Sequence, residues 1–156
     1  MARNRIFIVL WYLTLVFPLF GQRDIISFER ISDQQGISQS TVTCIYQGRR
    51  GFIWFGTYDG LNRYDGQHFK IYKEDPLNPY SLSHVSISTI CECKDGEFWI
   101  GTSGGGLNRY DREKERFYRF RADPSDTNSL SNDMIRCVIE DHSGNLWIAS
   151  WGWCVE

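Results

Sequence analysis

The feature that most constrains this chain is a tryptophan that recurs, with its surroundings, at a nearly fixed interval. Trp54, Trp99 and Trp147 are 45 and 48 residues apart, and each lies three residues after a glycine. An aliphatic residue followed by serine stands seventeen positions before each tryptophan, as Ile37-Ser38, Leu82-Ser83 and Leu130-Ser131. A fixed period of roughly 20–50 residues is typical of architectures in which each unit packs on the next in the same way. The sequence therefore predicts repeated copies of one structural unit.

Within the first unit, short apolar or alternating runs occur at 42–46, 52–55, 62–64 and 69–72. A period of two in short runs bounded by glycine favours strands over helices. Four short strands in about 45 residues are typical of a β-propeller blade. A β-sandwich also has short, regularly spaced strands, but it does not require the sequence to repeat, so we favour the propeller. The expected fold class is all-β, with four-stranded antiparallel blades.

The repeat predicts blades at about 36–80 and 81–128, and a third blade at 129–156 that stops before its third strand. Propellers close with typically four to eight blades. We therefore expect 22–156 to be about two and a half blades, from a longer protein or a broken reading frame.

The first 21 residues are expected to lie outside the propeller. Arg3 and Arg5 precede a mostly apolar stretch, Ile6–Phe20, and a small residue, Gly21. This run is shorter than the roughly 20 apolar residues of a spanning helix, so it indicates a secretory signal peptide cleaved near Gly21. An uncleaved anchor is the alternative interpretation. The pattern predicts export to the periplasm.

Charge and cysteine content narrow the chemistry. The net charge is -2 with no basic tail, so no nucleic acid partner is expected. Cys44 and Cys137 occupy repeat strand positions and are expected to be small buried hydrophobes. Cys91 and Cys93 lack a second ligand pair and the histidines are scattered, so neither a metal nor a cofactor is expected.

The repeated residues are expected to be structural rather than ligand-binding. The three tryptophans lie between apolar neighbours and predict inter-blade core, although exposed tryptophans also serve as sugar-stacking platforms. Arg63 and Asp65 are two apart on a predicted strand, so they share a face and are expected to pair.

Ligand specificity is expected where the units differ, on loops held by a rigid scaffold. After the second strand the units carry Tyr58 and Asp59, then Ser103, then Trp151. Aromatic and polar tips suit sugars, which offer apolar ring faces and hydroxyls. These four residues are the predicted ligand-binding positions, and an ordinary exposed turn is the alternative.

A longer motif carries a family resemblance. Segments 51–57 and 96–102 share Gly-x-x-Trp-x-Gly-Thr, and Leu-Asn-Arg-Tyr-Asp follows at 61–65 and 107–111. A third copy at 141–150 ends in Ala-Ser in place of Gly-Thr. In these motifs the chain resembles the two-component regulator propeller repeats.

That resemblance implies a propeller in the periplasmic sensor of a hybrid two-component system, of the kind found in gut Bacteroidetes. It implies an oligosaccharide ligand, further blades, and membrane-anchored histidine kinase modules as partners, and it leaves a homodimer open. The chain itself is expected not to be an enzyme, since it holds no kinase or hydrolase residues.

The competing hypothesis is a fragment of a glycan-acting propeller enzyme, such as a sialidase. Those enzymes repeat a Ser-x-Asp-x-Gly-x-x-Trp box. Here Asp95 and Asp141 stand at different distances from their tryptophans, and the first unit has Arg50 in that region. The box is absent, and no pair of catalytic carboxylates can be assigned.

Overall fold

Each repeat unit folds as an antiparallel sheet whose strands follow chain order. The computed structural model describes residues 26–152, and the predicted signal peptide at 1–21 lies outside them. A short 3₁₀ helix at Asp33–Gln35 precedes the sheets. Ten strands follow: β1 Val42–Gln47, β2 Ile53–Thr57, β3 Gly60–Tyr64, β4 Phe69–Tyr72, β5 Ile87–Glu92, β6 Phe98–Thr102, β7 Leu107–Asp111, β8 Arg116–Phe120, β9 Ile135–Glu140 and β10 Leu146–Ser150.

The strands form two four-stranded sheets, β1-β2-β3-β4 and β5-β6-β7-β8, and a two-stranded sheet, β9-β10. All pairings are antiparallel, and the first strand of each sheet carries a register shift near its start. The predicted all-β fold with four-stranded blades is confirmed. We call the three sheets blades one, two and three.

The blades approach closely at a glycine of the repeated motif. A Cβ on Gly56 would lie 2.7 Å from Ile87 Cγ2 in blade two, and one on Gly101 would lie 2.7 Å from Ile135 Cγ2 in blade three. Both distances are too short for real carbon contacts. The motif therefore needs glycine here because the first strand of the next blade packs directly on the backbone.

The core between blades one and two is largely aromatic. Trp54 is 3% exposed, and its ring centroid lies 4.7 Å from that of Phe98. The hydroxyls of Tyr72 and Tyr110 are hydrogen-bonded at 2.9 Å, and Tyr110 stacks on Phe117. Burial and this bond raise the pKa of Tyr72 well above its usual range.

The core between blades two and three is smaller and aliphatic on the blade-three side. Leu107, Ile135 and Val138 are buried, with Trp99 only partly buried against them. Trp147, the third repeat tryptophan, is 46% exposed. The prediction of inter-blade core is therefore confirmed for Trp54, holds in part for Trp99 and is wrong for Trp147, whose face no described residue covers.

The expected burial of the cysteines also needs correction. Cys44 is partly buried and packs against the first core, but Cys137 is exposed. Cys137 occupies the same position in β9 that Cys44 occupies in β1, opposite the motif glycine or alanine. On blade one the next blade covers this position, whereas on blade three no described residue does.

Candidate functional site

The second and third strands of each blade meet in a turn, and a buried asparagine ties the incoming chain to that turn. Asn62 Oδ1 accepts a hydrogen bond from Ser38 N at 2.8 Å, and Asn62 Nδ2 donates to Ser38 Oγ at 2.9 Å. Asn108 makes the same pair of bonds to Ser83, at 3.0 and 2.7 Å. Both asparagines are fully buried. The repeated asparagine is therefore structural, as predicted, and it fixes the residues after the serine beside the turn.

In blade one the turn presents an aromatic ring. Tyr58 is 55% exposed, and its backbone N donates a hydrogen bond to Gln39 Oε1 at 3.2 Å. The backbone of the turn is fixed by Gly60 N, which donates to Val85 O at 2.8 Å. The ring is thus carried by a hydrogen-bonded turn and is about half-exposed to solvent.

Asp59, the neighbouring candidate, is already engaged. Its Oδ2 accepts from Lys73 Nζ at 2.6 Å, and its backbone N donates to Thr57 Oγ1 at 3.0 Å. Both side chains of the ion pair are more than 40% exposed, so the pair contributes little to stability.

In blade two the turn lies against the next blade. Ser103 is half-buried, its N donates to Ser86 O at 2.9 Å, and it forms an isolated bridge with Met134. Gly104 N and Gly106 N both donate to Asp133 O. Ser103 therefore lies at the junction between blades two and three rather than on an open surface.

In blade three the turn presents the second aromatic ring. Trp151 is 53% exposed, and its backbone N donates to Met134 O at 2.7 Å. The guanidinium carbon of Arg136 lies 4.6 Å from the ring centroid. This cation stacks on the indole, which leaves part of the ring surface in solvent.

The antiparallel topology puts all four predicted residues at the same end of the three blades. Within the described residues, no hydrogen bond or ion pair joins the candidates of one turn to those of another. Tyr58 and Trp151 keep exposed rings, Asp59 is paired with Lys73, and Ser103 is bonded at a blade junction.

The structure adds three polar residues that the sequence analysis did not select. Gln39, His84 and Asn132 each follow the repeated serine, and so lie beside the turns. His84 Nδ1 accepts from Ser86 N at 3.1 Å, and Asn132 Oδ1 accepts from Met134 N at 2.8 Å. The three residues differ between blades at a fixed offset, and this variation was the signal that would have found them.

The described part of the chain offers neither a metal-binding cluster nor a membrane-spanning helix. Between residues 26 and 152, no cluster of three or more histidine, cysteine or acidic side chains could hold a metal ion. In that same range, no helix has the length and apolar character needed to cross a membrane.

Antiparallel blades that repeat in sequence and stack through the same glycine define a β-propeller repeat protein. The two component regulator propeller family model matches residues 36–59 and 129–152. These two segments of the chain are therefore repeats of the two component regulator propeller type.

Named relatives agree with this assignment. Over 78 residues, the chain is 38% identical to Histidine kinase P4 of Formosa agariphila. It is also similar to the extracellular domain of a protein assigned to a hybrid two component system in B. thetaiotaomicron, at 28% identity with a TM-score of 0.75. A second extracellular domain from the same bacterium, assigned to a one component system, matches at 29% identity with a TM-score of 0.64.

The matches cover the chain and its relatives unequally. The two structures cover 81% and 80% of this chain, but only 18% of each solved chain is matched. The kinase match covers 50% of this chain and 6% of the relative. The chain thus spans a small part of the proteins it resembles.

Proposed function

We propose that the chain is part of the extracellular sensor of a two-component receptor and binds an oligosaccharide at the end of the blades that carries Tyr58 and Trp151. The observation that carries the proposal is the pair of half-exposed aromatic rings at the variable turns of otherwise repeated blades. Aromatic rings pack on the apolar faces of sugars, and their polar neighbours can bind hydroxyls. Gln39 and His84 supply such polar groups at the same end.

The family supports a sensor role in the periplasm. Both structural relatives are extracellular domains, and the curated relative is named a histidine kinase. The leader pattern at 1–21 agrees with export, and it lies outside the described residues. In this proposal the signalling modules belong to the receptor and not to these blades.

We propose further that the site binds its ligand without cleaving it. Glycoside hydrolysis requires two carboxyl groups placed about 5–9.5 Å apart across the scissile bond. Two carboxylates near these turns are already held: Asp59 by Lys73 Nζ at 2.6 Å, and Asp133 Oδ1 by Ala122 N at 2.8 Å. This observation favours a binding module over the alternative of a glycan-acting enzyme.

Calorimetric titration of the receptor containing these blades, with a panel of plant and host oligosaccharides, tests the proposal. We expect saturable binding of at least one glycan, weakened several-fold by Tyr58→Ala and by Trp151→Ala, since a stacked aromatic contributes on the order of 1 kcal/mol. Chromatography of the bound glycan after long incubation should recover it unchanged.

Tyr80→Ala is the matched control. Tyr80 is also an exposed aromatic with a stacked arginine, Arg116 at 4.5 Å, but its carbonyl contacts the outer strand β8 through Phe117 N. Full affinity in both turn variants would place the site elsewhere. Release of shorter sugars would favour the enzyme hypothesis.

A further inference from the structure

At the opposite end of the blades, the first and second strands meet in a turn, and one position of this turn differs in an informative way. Six residues before the repeat tryptophans stand Gly48, Cys93 and Asp141. In blade three the Asp141 carboxylate accepts a hydrogen bond from the Trp147 indole, with Oδ2 3.0 Å from Nε1. Blade three therefore shows that a carboxylate at this position binds the indole N–H of the repeat tryptophan.

Blade one has the indole without the carboxylate. Trp54 is 3% exposed, and its Nε1 lies 3.2 Å from the point where a Cβ on Gly48 would stand. None of the described residues accepts a hydrogen bond from this nitrogen. Ser88 Oγ is the one described side-chain N or O atom that is both buried and unpartnered, so Trp54 Nε1 is still reached by solvent. This N–H can therefore donate to an acceptor that enters from solvent.

Guanidinium groups surround the same point. Arg50, Arg63 and Arg112 line, together with Gly48 and Trp54, a cleft of about 40 Å³. This volume admits a small head group and leaves the rest of a ligand outside.

Arg63 is preorganised in this cleft and lacks an acidic partner. Its guanidinium carbon lies 4.6 Å from the Phe52 ring centroid and 6.0 Å from that of Trp54. No carboxylate of the described residues forms an ion pair with it. In blade two the equivalent Arg109 is neutralised by Glu97, with Nη1 2.9 Å from Oε1. Phe52 replaces that glutamate in blade one, so of the two described repeat arginines Arg63 is the one that keeps its donors free of a carboxylate.

Glu92 is the acidic group beside the cleft, and it is already paired. Its Oε1 lies 2.7 Å from Arg112 Nη2, and its Oε2 accepts from Arg49 N at 2.9 Å. Arg112 is therefore neutralised, while Arg50 and Arg63 remain as two unpaired positive charges on the described surface of the cleft.

We propose that this cleft binds the carboxylate group of a small organic acid. One carboxylate oxygen accepts from Trp54 Nε1, as Asp141 does from Trp147, and the other faces the Arg63 guanidinium. Carboxylates are good acceptors for arginine because charge-assisted bonds are shorter and stronger than neutral ones. The site is independent of the proposed sugar site, which lies at the other end of the blades.

Indole N–H resonances of the ¹⁵N-labelled chain test this directly. Acetate and D-glucuronate are the probes, D-glucose is the neutral control, and sodium chloride at equal ionic strength is the control for anions in general. We expect both carboxylates to shift the Trp54 indole resonance saturably, and glucose and chloride to leave it unchanged. Trp54→Phe assigns the resonance while keeping an aromatic ring in the core.

Three substitutions sharpen the test. Gly48→Asp supplies the carboxylate that blade three has, so it should move the Trp54 resonance without added ligand and abolish the response to acetate. Arg63→Gln should weaken binding roughly tenfold, since a charge-assisted bond is lost. Arg109→Gln, the equivalent residue in blade two, should not change it. Gly48→Asp also assigns the resonance if Trp54→Phe fails to fold.

Several results would overturn the proposal. A Trp54 indole that stays fixed at every carboxylate concentration would exclude the site. Equal shifts with chloride would show a general salt effect, and equal shifts with glucose would show that the carboxylate is not recognised. An equal loss on Arg109→Gln would mean that overall charge, rather than this cleft, attracts the acid.

Discussion

The two interfaces between blades use the same motif, yet they bury it to different depths. Between blades one and two, Trp54 is 3% exposed beneath Phe98, Tyr110 and Phe117. Between blades two and three, Trp99 is only partly buried. A cavity of about 550 Å³ lies beside it, lined in part by Trp99, Phe120, Leu130 and Ile148.

The difference teaches that the repeat tryptophan is core only when the next blade covers it with its outer strands. Tyr110 and Phe117 lie on β7 and β8, the third and fourth strands of blade two. Blade-three residues in the second core come from β9, β10 and the segment before them. The first strand of each blade also depends on its neighbour. Ile90 in β5 packs against blade one and is 8% exposed, whereas its counterpart Ile45 in β1 has no described blade against it and is 64% exposed.

The largest expected effect is a difference between two tryptophan truncations. Trp54→Ala should lower the free energy of unfolding by roughly 3–5 kcal/mol, as large-to-small changes in a packed core do. Trp99→Ala should cost roughly 1–2 kcal/mol, since a partly buried ring loses less buried area than a fully buried one. Urea unfolding followed by circular dichroism measures both. Equal losses would show that the second interface is as complete as the first.

A second test concerns the glycine contact between blades. A Cβ on Gly56 would stand 2.5 Å from Cys44 Sγ and 2.7 Å from Ile87 Cγ2. Gly56→Ala should therefore destabilise the chain by roughly 1–3 kcal/mol, the usual cost of overpacking. Blade three carries Ala149 at this position, with no described blade in front of it.

Ala149→Gly is the control for the glycine test. It should cost only roughly 0.5–1 kcal/mol, through backbone entropy. If Gly56→Ala unfolds at the same urea concentration as the parent chain, the blades separate easily and the glycine has another role.

The sequence was sufficient to predict the fold because the repeat gives the strands and turns that every blade shares. The repeat does not show which blades have a neighbour packed against them, and so Trp147 and Cys137 were wrongly expected to be buried. The expected pairing of Arg63 with Asp65 was also wrong, because β3 ends at Tyr64. Asp65 Oδ1 instead accepts from Gln67 N at 2.8 Å and His68 N at 2.7 Å, and Arg63 lies over Phe52.

The candidate sites were accessible to sequence reasoning only in part. Variation after the second strand selected Tyr58 and Trp151, whose rings the structure shows at the surface. The cleft at Gly48 was not found, because it depends on Arg112, which comes from the next blade. A contact between blades leaves no local pattern in the sequence.

A smaller effect should come from the tyrosine pair that only the first interface has. Tyr72→Phe leaves the buried Tyr110 hydroxyl without its 2.9 Å partner and should cost about 1 kcal/mol. The double variant Tyr72→Phe/Tyr110→Phe should recover most of this loss, since both polar groups are then removed. Phe120 replaces Tyr72 at the second interface. A double variant less stable than the single one would show that the hydroxyls act independently.

The same pair predicts an alkaline limit to stability. The pKa of Tyr72 is raised by burial, so the folded chain keeps the proton that the unfolded chain releases near its ordinary pKa of about 10. The stabilisation is complete below that pH and is lost as the pH rises above it. Urea midpoints measured across this range should fall less steeply for the double phenylalanine variant than for the parent chain. Parallel pH profiles would contradict the assignment to this pair.

The smallest expected effect is a pH-dependent shift of the Trp147 indole resonance, which Trp54 should not share. Hydrogen bonds from Trp147 Nε1, Asn145 and Ser143 N hold the pKa of Asp141 well below its usual range. Their contribution is present above the ordinary aspartate pKa of about 4 and is lost only as the pH falls toward the depressed value. The Trp147 indole resonance should therefore stay constant through pH 4 and move only in stronger acid, whereas Asp141→Asn should move it at neutral pH and leave Trp54 unchanged. A Trp147 resonance that titrates near pH 4 would mean that its N–H does not hold the Asp141 carboxylate, and the carboxylate precedent for the Gly48 cleft would be lost with it.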